Sequence, residues 1–301
     1  MSTIALLSTT LIQGTDAAFP KRGLCSNDDI PITQFGGRTN NGRSSQVNWQ
    51  YNWDSTTNQK QSWSEYVPML WGLQDYHTGH WNDRANQWLS TGGSGHLLGF
   101  NEPDIPSQAA LSVSQAVAGY RKYMKPFIGR ASIGTPAVTN GGYNWLSQFL
   151  DQCNDCGIDF IAAHWYNDQS LFDDFKNWVN KLCTLGKGKQ VWITEVRFSQ
   201  TPNILVHHAE VLTNQKQFQA YGTIDQQSAF LKKAIPFLDN NSCVFRYAYF
   251  GAADPSKIFL QNNAGPALSP LGVQYAFTPY GQAQKRDEIE AGNRTAVEWT
   301  A

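Results

Sequence analysis

Charge is scarce in this chain of 301 residues: only 16% are Asp, Glu, Lys or Arg, and 23 basic residues nearly balance 24 acidic ones. Affinity for nucleic acid comes mainly from cationic neutralisation of phosphates, and the basic runs Lys21-Arg22 and Lys285-Arg286 are too short to form a patch. A nucleic-acid partner is therefore not expected. Long apolar runs are missing as well. No segment reaches the roughly 18 consecutive apolar residues of a membrane span, so no membrane partner is expected either. Cysteine is sparse, at Cys25, Cys153, Cys156, Cys183 and Cys243. The "CNDC" spacing invites zinc, but a structural site wants four convergent Cys or His ligands, and no second CxxC or HxxxH pair is present. We expect no metal and no cofactor. A local disulfide, a long-range disulfide and free buried thiols all stay open, and an odd count leaves at least one thiol unpaired.

Aromatic residues are what the chain has in quantity, 13% of it with 11 Trp. A Trp-rich core accounts for part of these, and indoles left over pack against something else. A neutral, aromatic surface suits a neutral ligand with apolar faces and many hydroxyls, which describes a sugar. The start, "MSTIALLSTTLIQGTDAAFPKRGL", has a short apolar stretch but no cationic n-region, so it is a weak secretory signal. We read residues 1–20 as an extension or residual leader, 21–280 as one domain and 281–301 as a tail. Sequons at Asn240 and Asn293 permit glycosylation. The expected location is extracellular or the cell wall.

No internal repeat or low-complexity linker divides the chain. Short apolar, β-branched or aromatic runs alternate with helical patterns. The strand candidates are Arg22–Cys25, Val47–Tyr51, Tyr66–Trp71, His96–Asn101, Ala131–Thr135, Ile158–His164, Gln190–Thr194 and Val244–Phe250. The clearest helices are Ser112–Tyr123, Tyr143–Cys153, Leu171–Leu185 and Ile224–Leu238, the last ending at "DNNS". Strands alternating with helices imply a parallel sheet. Eight such units fit a single-domain α/β fold, the (β/α)8 TIM barrel, whose chemistry sits at the C-terminal ends of the strands. An open doubly wound sheet is the other choice, but no GxGxxG follows the first strand.

Two acids stand where barrel chemistry is kept. Glu102, in "LLGFNEPD", caps the fourth strand, and Glu195, in "QVWITEV", stands at the end of the seventh. Either acid alone reads as a solvated loop residue. Together they face each other across the mouth, and two facing carboxylates are the tools of glycoside hydrolysis. One must stay neutral to protonate the leaving oxygen, and the other must be ionised to attack the anomeric carbon. A retaining mechanism sets the carboxyl groups about 5 to 5.5 Å apart. Along "AAHWY", His164 and Tyr166 point to one face and Trp165 to the other. Facing the mouth, His164 can orient a carboxylate; otherwise it is a satisfied core group. Tyr51, Trp71 and Tyr249 fall at strand ends and are candidate sugar platforms, while His77, His80, His207 and His208 read as ordinary surface histidines.

The segments "YVPMLWG", "LLGFNEPD", "GTPAVTNGGYNWLSQFLDQC", "IDFIAAHWY", "VWITE" and "FRYAYFG" closely resemble glycoside hydrolase family 128, the β-1,3-glucanases of fungi and bacteria in clan A of the retaining hydrolases. The resemblance spans roughly residues 21 to 277. It implies that Glu102 is the acid/base, that Glu195 is the nucleophile, and that Asn101 hydrogen-bonds the 2-hydroxyl of the reacting sugar. It also implies a β-1,3-glucan or its oligosaccharides as partner, and we expect a monomer. Two departures stand out: Val196 follows the nucleophile where the family often has Phe, and Tyr249 occupies a place near the end of the eighth strand that is often Trp. These keep a second reading open, a β-1,3-glucan-oligosaccharide-binding protein with weak or no turnover; a third, a barrel acting on another polysaccharide, follows if the resemblance reaches only to the clan. Endo or exo cleavage depends on whether loops such as Gly36–Ser45 or Thr201–Gln219 wall off one end of the cleft.

Overall fold

A computed structural model describes residues 20–39, 41–198, 223–252 and 267–279. The strands are β1 (Arg22–Cys25), β2 (Val47–Tyr51), β3 (Glu65–Tyr66), β4 (His96–Leu97), β5 (Ser132–Gly134), β6 (Ile158–Asn167), β7 (Gln190–Phe198) and β8 (Val244–Phe250). They run parallel in the order β3-β2-β1-β8-β7-β6-β5-β4. The two outer strands meet beyond their regular parts, where Met69 bridges Leu98 in parallel. There the Leu70 N–H donates to the Leu98 carbonyl, and the Leu98 N–H donates to that of Pro68, each at 3.0 Å. These bonds close the sheet into the expected (β/α)8 barrel.

β3 is shorter than its apolar run because Pro68 has no N–H to give the ladder. β6 and β7 extend past their expected ends at His164 and Thr194, and both extensions carry residues of the site. The helices are α1 (Asp75–Thr78), α2 (Trp81–Ser90), α3 (Val113–Gly119), α4 (Tyr143–Gln152), α5 (Phe172–Gly186), α6 (Ile224–Asn240) and α7 (Pro270–Phe277). α3 and α6 begin on capping boxes, Ser112 with Gln115 and Thr223 with Gln226, which satisfy first-turn N–H groups that have no partner within the helix. α3 runs on into a π-turn at Tyr120–Met124, so the expected helix Ser112–Tyr123 is two segments.

Strand alternation sorts the apolar residues into two layers. Trp49, Met69, Leu98, Phe160, Trp192 and Ala248 fill the barrel, whereas Leu24, Leu97, Trp165, Ile193, Val196 and Tyr249 pack outward against the helices. Full burial of such a side chain contributes about 1.5–3 kcal/mol. The N-terminal end of the barrel is plugged by Glu65, which accepts from His96 Nδ1 at 2.8 Å and Arg246 at 2.5 Å. Burial opposes the ionised form of Glu65. His96 and Arg246 outweigh it and draw the pKa down to about 2.

The "CNDC" motif is not a zinc site here, because Cys153 and Cys156 form a disulfide. Cys183 and Cys243 form a second, tying the end of α5 to the start of β8 across 60 residues, which in the chain-entropy picture is worth about 4 kcal/mol. Cys25 is a buried free thiol inside the barrel. The expected extension and tail lie outside the described residues, apart from residue 20, as do Thr201–Gln219, His207, His208 and Asn293.

Candidate active site

Strict alternation along β7 puts Trp192 inward, Ile193 outward, and would turn Glu195 outward too. The pairing shows why it is not. Ala163 pairs with Ile193 but His164 pairs with Glu195, and against β8 the register likewise skips between Ile193 and Val196. One extra residue is bulged out of β7 at this point, and a bulge re-aims the side chain next to it. Glu195 therefore faces the barrel mouth and is 3% exposed.

Glu102 reaches the same place by a different device. Its backbone is left-handed, with φ at 41°, a conformation that is uncommon for a residue carrying a Cβ and that concentrates at functional sites. It is held there by its N–H, which donates to the Ala137 carbonyl at 2.7 Å, and by the following turn, in which Ala109 N–H donates to Asn101 at 3.1 Å. Asp104 braces that turn by accepting from the Thr139 hydroxyl at 2.6 Å.

His164 lies between the two acids, fully buried. Its Nδ1 is 2.7 Å from Glu102 Oε1. Its Nε2 is 3.5 Å from Glu195 Oε1, an ion-pair contact too long for a good hydrogen bond. Burial alone would lower the His164 pKa. The charge of Glu195 and the contact with Glu102 outweigh it, and the pKa is raised. A carboxyl oxygen of each acid and a ring nitrogen of His164 all lie within 4.8 Å of one another.

The acids differ in their surroundings. Glu195 Oε1 accepts from Trp53 Nε1 at 2.8 Å and from the Tyr51 hydroxyl at 3.3 Å, and Oε2 accepts from the Tyr166 hydroxyl. Burial first, then the Glu195 charge, lift both tyrosine pKa values well above their ordinary 10.0, so both stay donors. Of the three residues close enough together to ligate a metal ion, Glu195 is wrapped in N–H and O–H donors. That environment suits carboxylates used as acceptors better than it suits a cation.

The structure brings Tyr51, His164 and Tyr166 to the carboxylates. Tyr51 is enclosed, with its ring stacked 5.9 Å from Trp49 and edge-on to Trp53 at 5.4 Å. It cannot be the expected sugar platform and instead supports Glu195 from below. Asn101 is buried beside Glu102; its Nδ2 donates to Gln108 at 3.0 Å, while its Oδ1 is buried without a protein partner. Trp71 is half-buried, with one side stacked against His77 at 5.1 Å, so His77, itself half-buried, packs beside the candidate platform.

Tyr249 is a correction. It points away from the mouth, is 1% exposed, donates its hydroxyl to Gln227 on α6 and lies beside Tyr275 of α7. Along β8 the inward residues are Arg246, Ala248 and Phe250. Val196 pairs with Tyr249 and is equally on the helix side. Both departures from the family pattern are thus wall packing, and a larger ring at Tyr249 would strain that wall. In its place Phe250 borders the mouth, edge-on to Trp53 at 5.7 Å and to Tyr166 at 5.5 Å. Trp53, Phe250 and Gln108 were not picked out from sequence. Period-two counting through Arg246 points to Phe250, whereas Trp53 lies past the end of β2 and nothing in the sequence marks Gln108.

Residues 24–275 match the family described as Glycosyl hydrolase catalytic core. Alkali-sensitive linkage protein 1 of Schizosaccharomyces pombe (strain 972 / ATCC 24843) is 30% identical over 264 residues, 85% of this chain. The chain spans 44% of that relative's length. Among solved structures, a curdlan-specific exo-β-1,3-glucanase of family 128, subgroup III, from Blastomyces gilchristii superposes with a TM-score of 0.69 at 36% identity, covering 87% of this chain and 99% of the other. A subgroup IV endo-β-1,3-glucanase from Lentinula edodes shares the fold, with a TM-score of 0.64 at 21% identity over 86% of this chain and 100% of the other. The chain belongs to the glycosyl hydrolase catalytic core family and, within it, to glycoside hydrolase family 128.

Proposed function

We propose that the protein is a retaining β-1,3-glucan hydrolase in which Glu195 is the nucleophile and Glu102 the acid/base. The observation that carries this reading is the unequal pair of carboxylates at the barrel mouth. Glu195, gripped by Trp53, Tyr51 and Tyr166, attacks the anomeric carbon while Glu102 gives its proton to the departing glucosyl oxygen. Water then enters, Glu102 takes a proton from it, and the resulting hydroxide releases the sugar from Glu195. Carboxyl oxygens within 4.8 Å of each other fit this double displacement, because inversion needs carboxyl groups about 6.5–9.5 Å apart to seat a water between them. Two disulfides suit an oxidising compartment, in keeping with a secreted or wall-associated enzyme.

The test is incubation with a laminarin-type β-1,3-glucan, a β-1,4-glucan and a xylan, followed by assay of new reducing ends. We expect products from the β-1,3-glucan alone. Binding without products would instead make the protein a glucan-oligosaccharide binder, and products from xylan or β-1,4-glucan would overturn the substrate class.

Asn101 Oδ1, buried without a protein partner, is our candidate acceptor for the 2-hydroxyl of the reacting sugar, a contact that strengthens in the transition state. Gln108 sets which way that amide points. Gln108→Ala should lower kcat/KM by roughly 10-fold, the scale of one hydrogen bond, on an aryl glucoside and hardly at all on its 2-deoxy analogue. Equal losses on the two substrates would show that Gln108 only supports the turn.

A further inference from the structure

The sequon Asn240-Asn241-Ser242 has no part in the catalytic site. Asn240 is the last residue of α6, and its side chain is exposed, as is Ser242. The segment is a tight turn: Asn241 Oδ1 accepts from the Cys243 N–H at 3.0 Å, and the Val244 N–H donates to the Asn241 carbonyl at 3.2 Å. Lys21 Nζ fixes the same turn from below through the Leu238 and Asn241 carbonyls, at 3.3 and 2.8 Å. Every constraint falls on backbone or on Asn241. The Asn240 amide and the Ser242 hydroxyl are left facing outward.

Position in the barrel favours a modification here. The Val191 N–H, at the start of β7, donates to the Cys243 carbonyl at 2.9 Å, so the turn lies at the N-terminal end of the strands. The carboxylates lie at the other end, and a bulky group on Asn240 leaves the mouth clear. Asn240 also closes one end of a shallow groove between α6 and the start of α5, walled by Phe172, Lys232, Lys233, Pro236 and Phe237. Aromatic rings in such a groove suit the C–H face of a sugar. Four of the five cysteines are paired, which matches the oxidising secretory route along which N-glycans are added.

We propose that Asn240 is an N-glycosylation site whose innermost N-acetylglucosamine lies in the groove beside Phe237. The donor is a lipid-diphosphate-linked oligosaccharide. The Asn240 amide nitrogen forms a bond to sugar C1 and loses a proton, the C1–O bond breaks, and the lipid diphosphate leaves with the bonding electrons.

The test uses the full chain secreted from a eukaryotic host, with intact mass measured before and after peptide N-glycosidase. Asn240→Gln and Ser242→Ala should each abolish the glycan at this position, and Ser242→Thr should keep it. An unchanged mass on enzyme treatment, or a full glycan complement that survives Asn240→Gln, overturns the site. The groove is tested separately by trimming the glycan with an endoglycosidase to one N-acetylglucosamine. The trimmed protein should keep the Tm of the glycosylated one, whereas Asn240→Gln should lower it by about 2 °C. Equal Tm values for the trimmed protein and the variant would show that the sugar does not occupy the groove.

Discussion

Replacing Glu195 with Ala should lower turnover of β-1,3-glucan by roughly five orders of magnitude or more, the scale seen when a hydrolase loses its nucleophile. The groups that grip it are poor substitutes, because Trp53 is an indole donor and burial, the largest cause of their raised pKa values, keeps the Tyr51 and Tyr166 hydroxyls protonated once the Glu195 charge is gone. Glu102→Ala should cost less, about 10²–10⁴-fold on glucan, and very little in the first step on an aryl glucoside whose leaving group departs without a proton. Azide separates the two roles. It fits the space left at Glu102 and takes the place of the activated water, giving a glucosyl azide of retained configuration. At Glu195→Ala it attacks directly and gives the inverted product. Rescue products of the opposite configuration in both variants would mean that the two glutamates had been assigned in reverse.

The same pair of residues shows what was legible in the sequence. A short buried run ending in an acid marks both strand ends, and the alternation of such runs with helices was enough to give a barrel and to put Glu102 and Glu195 at its mouth. The devices that aim them were not visible. The β7 bulge at Thr194 and Glu195 and the left-handed backbone of Glu102 are local departures from regular geometry, and no propensity encodes them. Tyr249 failed for a related reason. The strand end was placed correctly at Phe250, but a one-residue error in phase exchanges the inner and outer faces, and the buried Arg246 at the barrel floor is a weak cue for an inward position. Trp53 lies beyond the regular end of β2 with φ at 60°, where period-two reasoning no longer applies. Disulfide pairing depends on how α5 and β8 pack, which spacing alone does not reveal.

His164→Gln should be about as damaging as Glu102→Ala. The ring contacts Glu102 through Nδ1 at 2.7 Å and its Nε2 lies 3.5 Å from Glu195, and the raised pKa favours the charged ring between them. Removing its charge leaves two buried carboxylates facing each other with nothing cationic between them. Breaking a buried ion pair from one side costs about 3–5 kcal/mol, which in kcat/KM is a loss of roughly 10²–10⁴-fold if it acts on the transition state. A merely structural histidine would also lower stability, so the pH dependence decides. The folded-state pKa of His164 is raised above its ordinary 6.5. Its stabilisation is therefore fully present below pH 6.5 and is lost as pH rises through the raised value. The difference in Tm between the parent and His164→Gln should be widest near pH 6 and shrink steadily toward pH 9. A difference that stays constant over that range would mean that His164 is neutral throughout and serves only as a hydrogen-bonding spacer between the two acids.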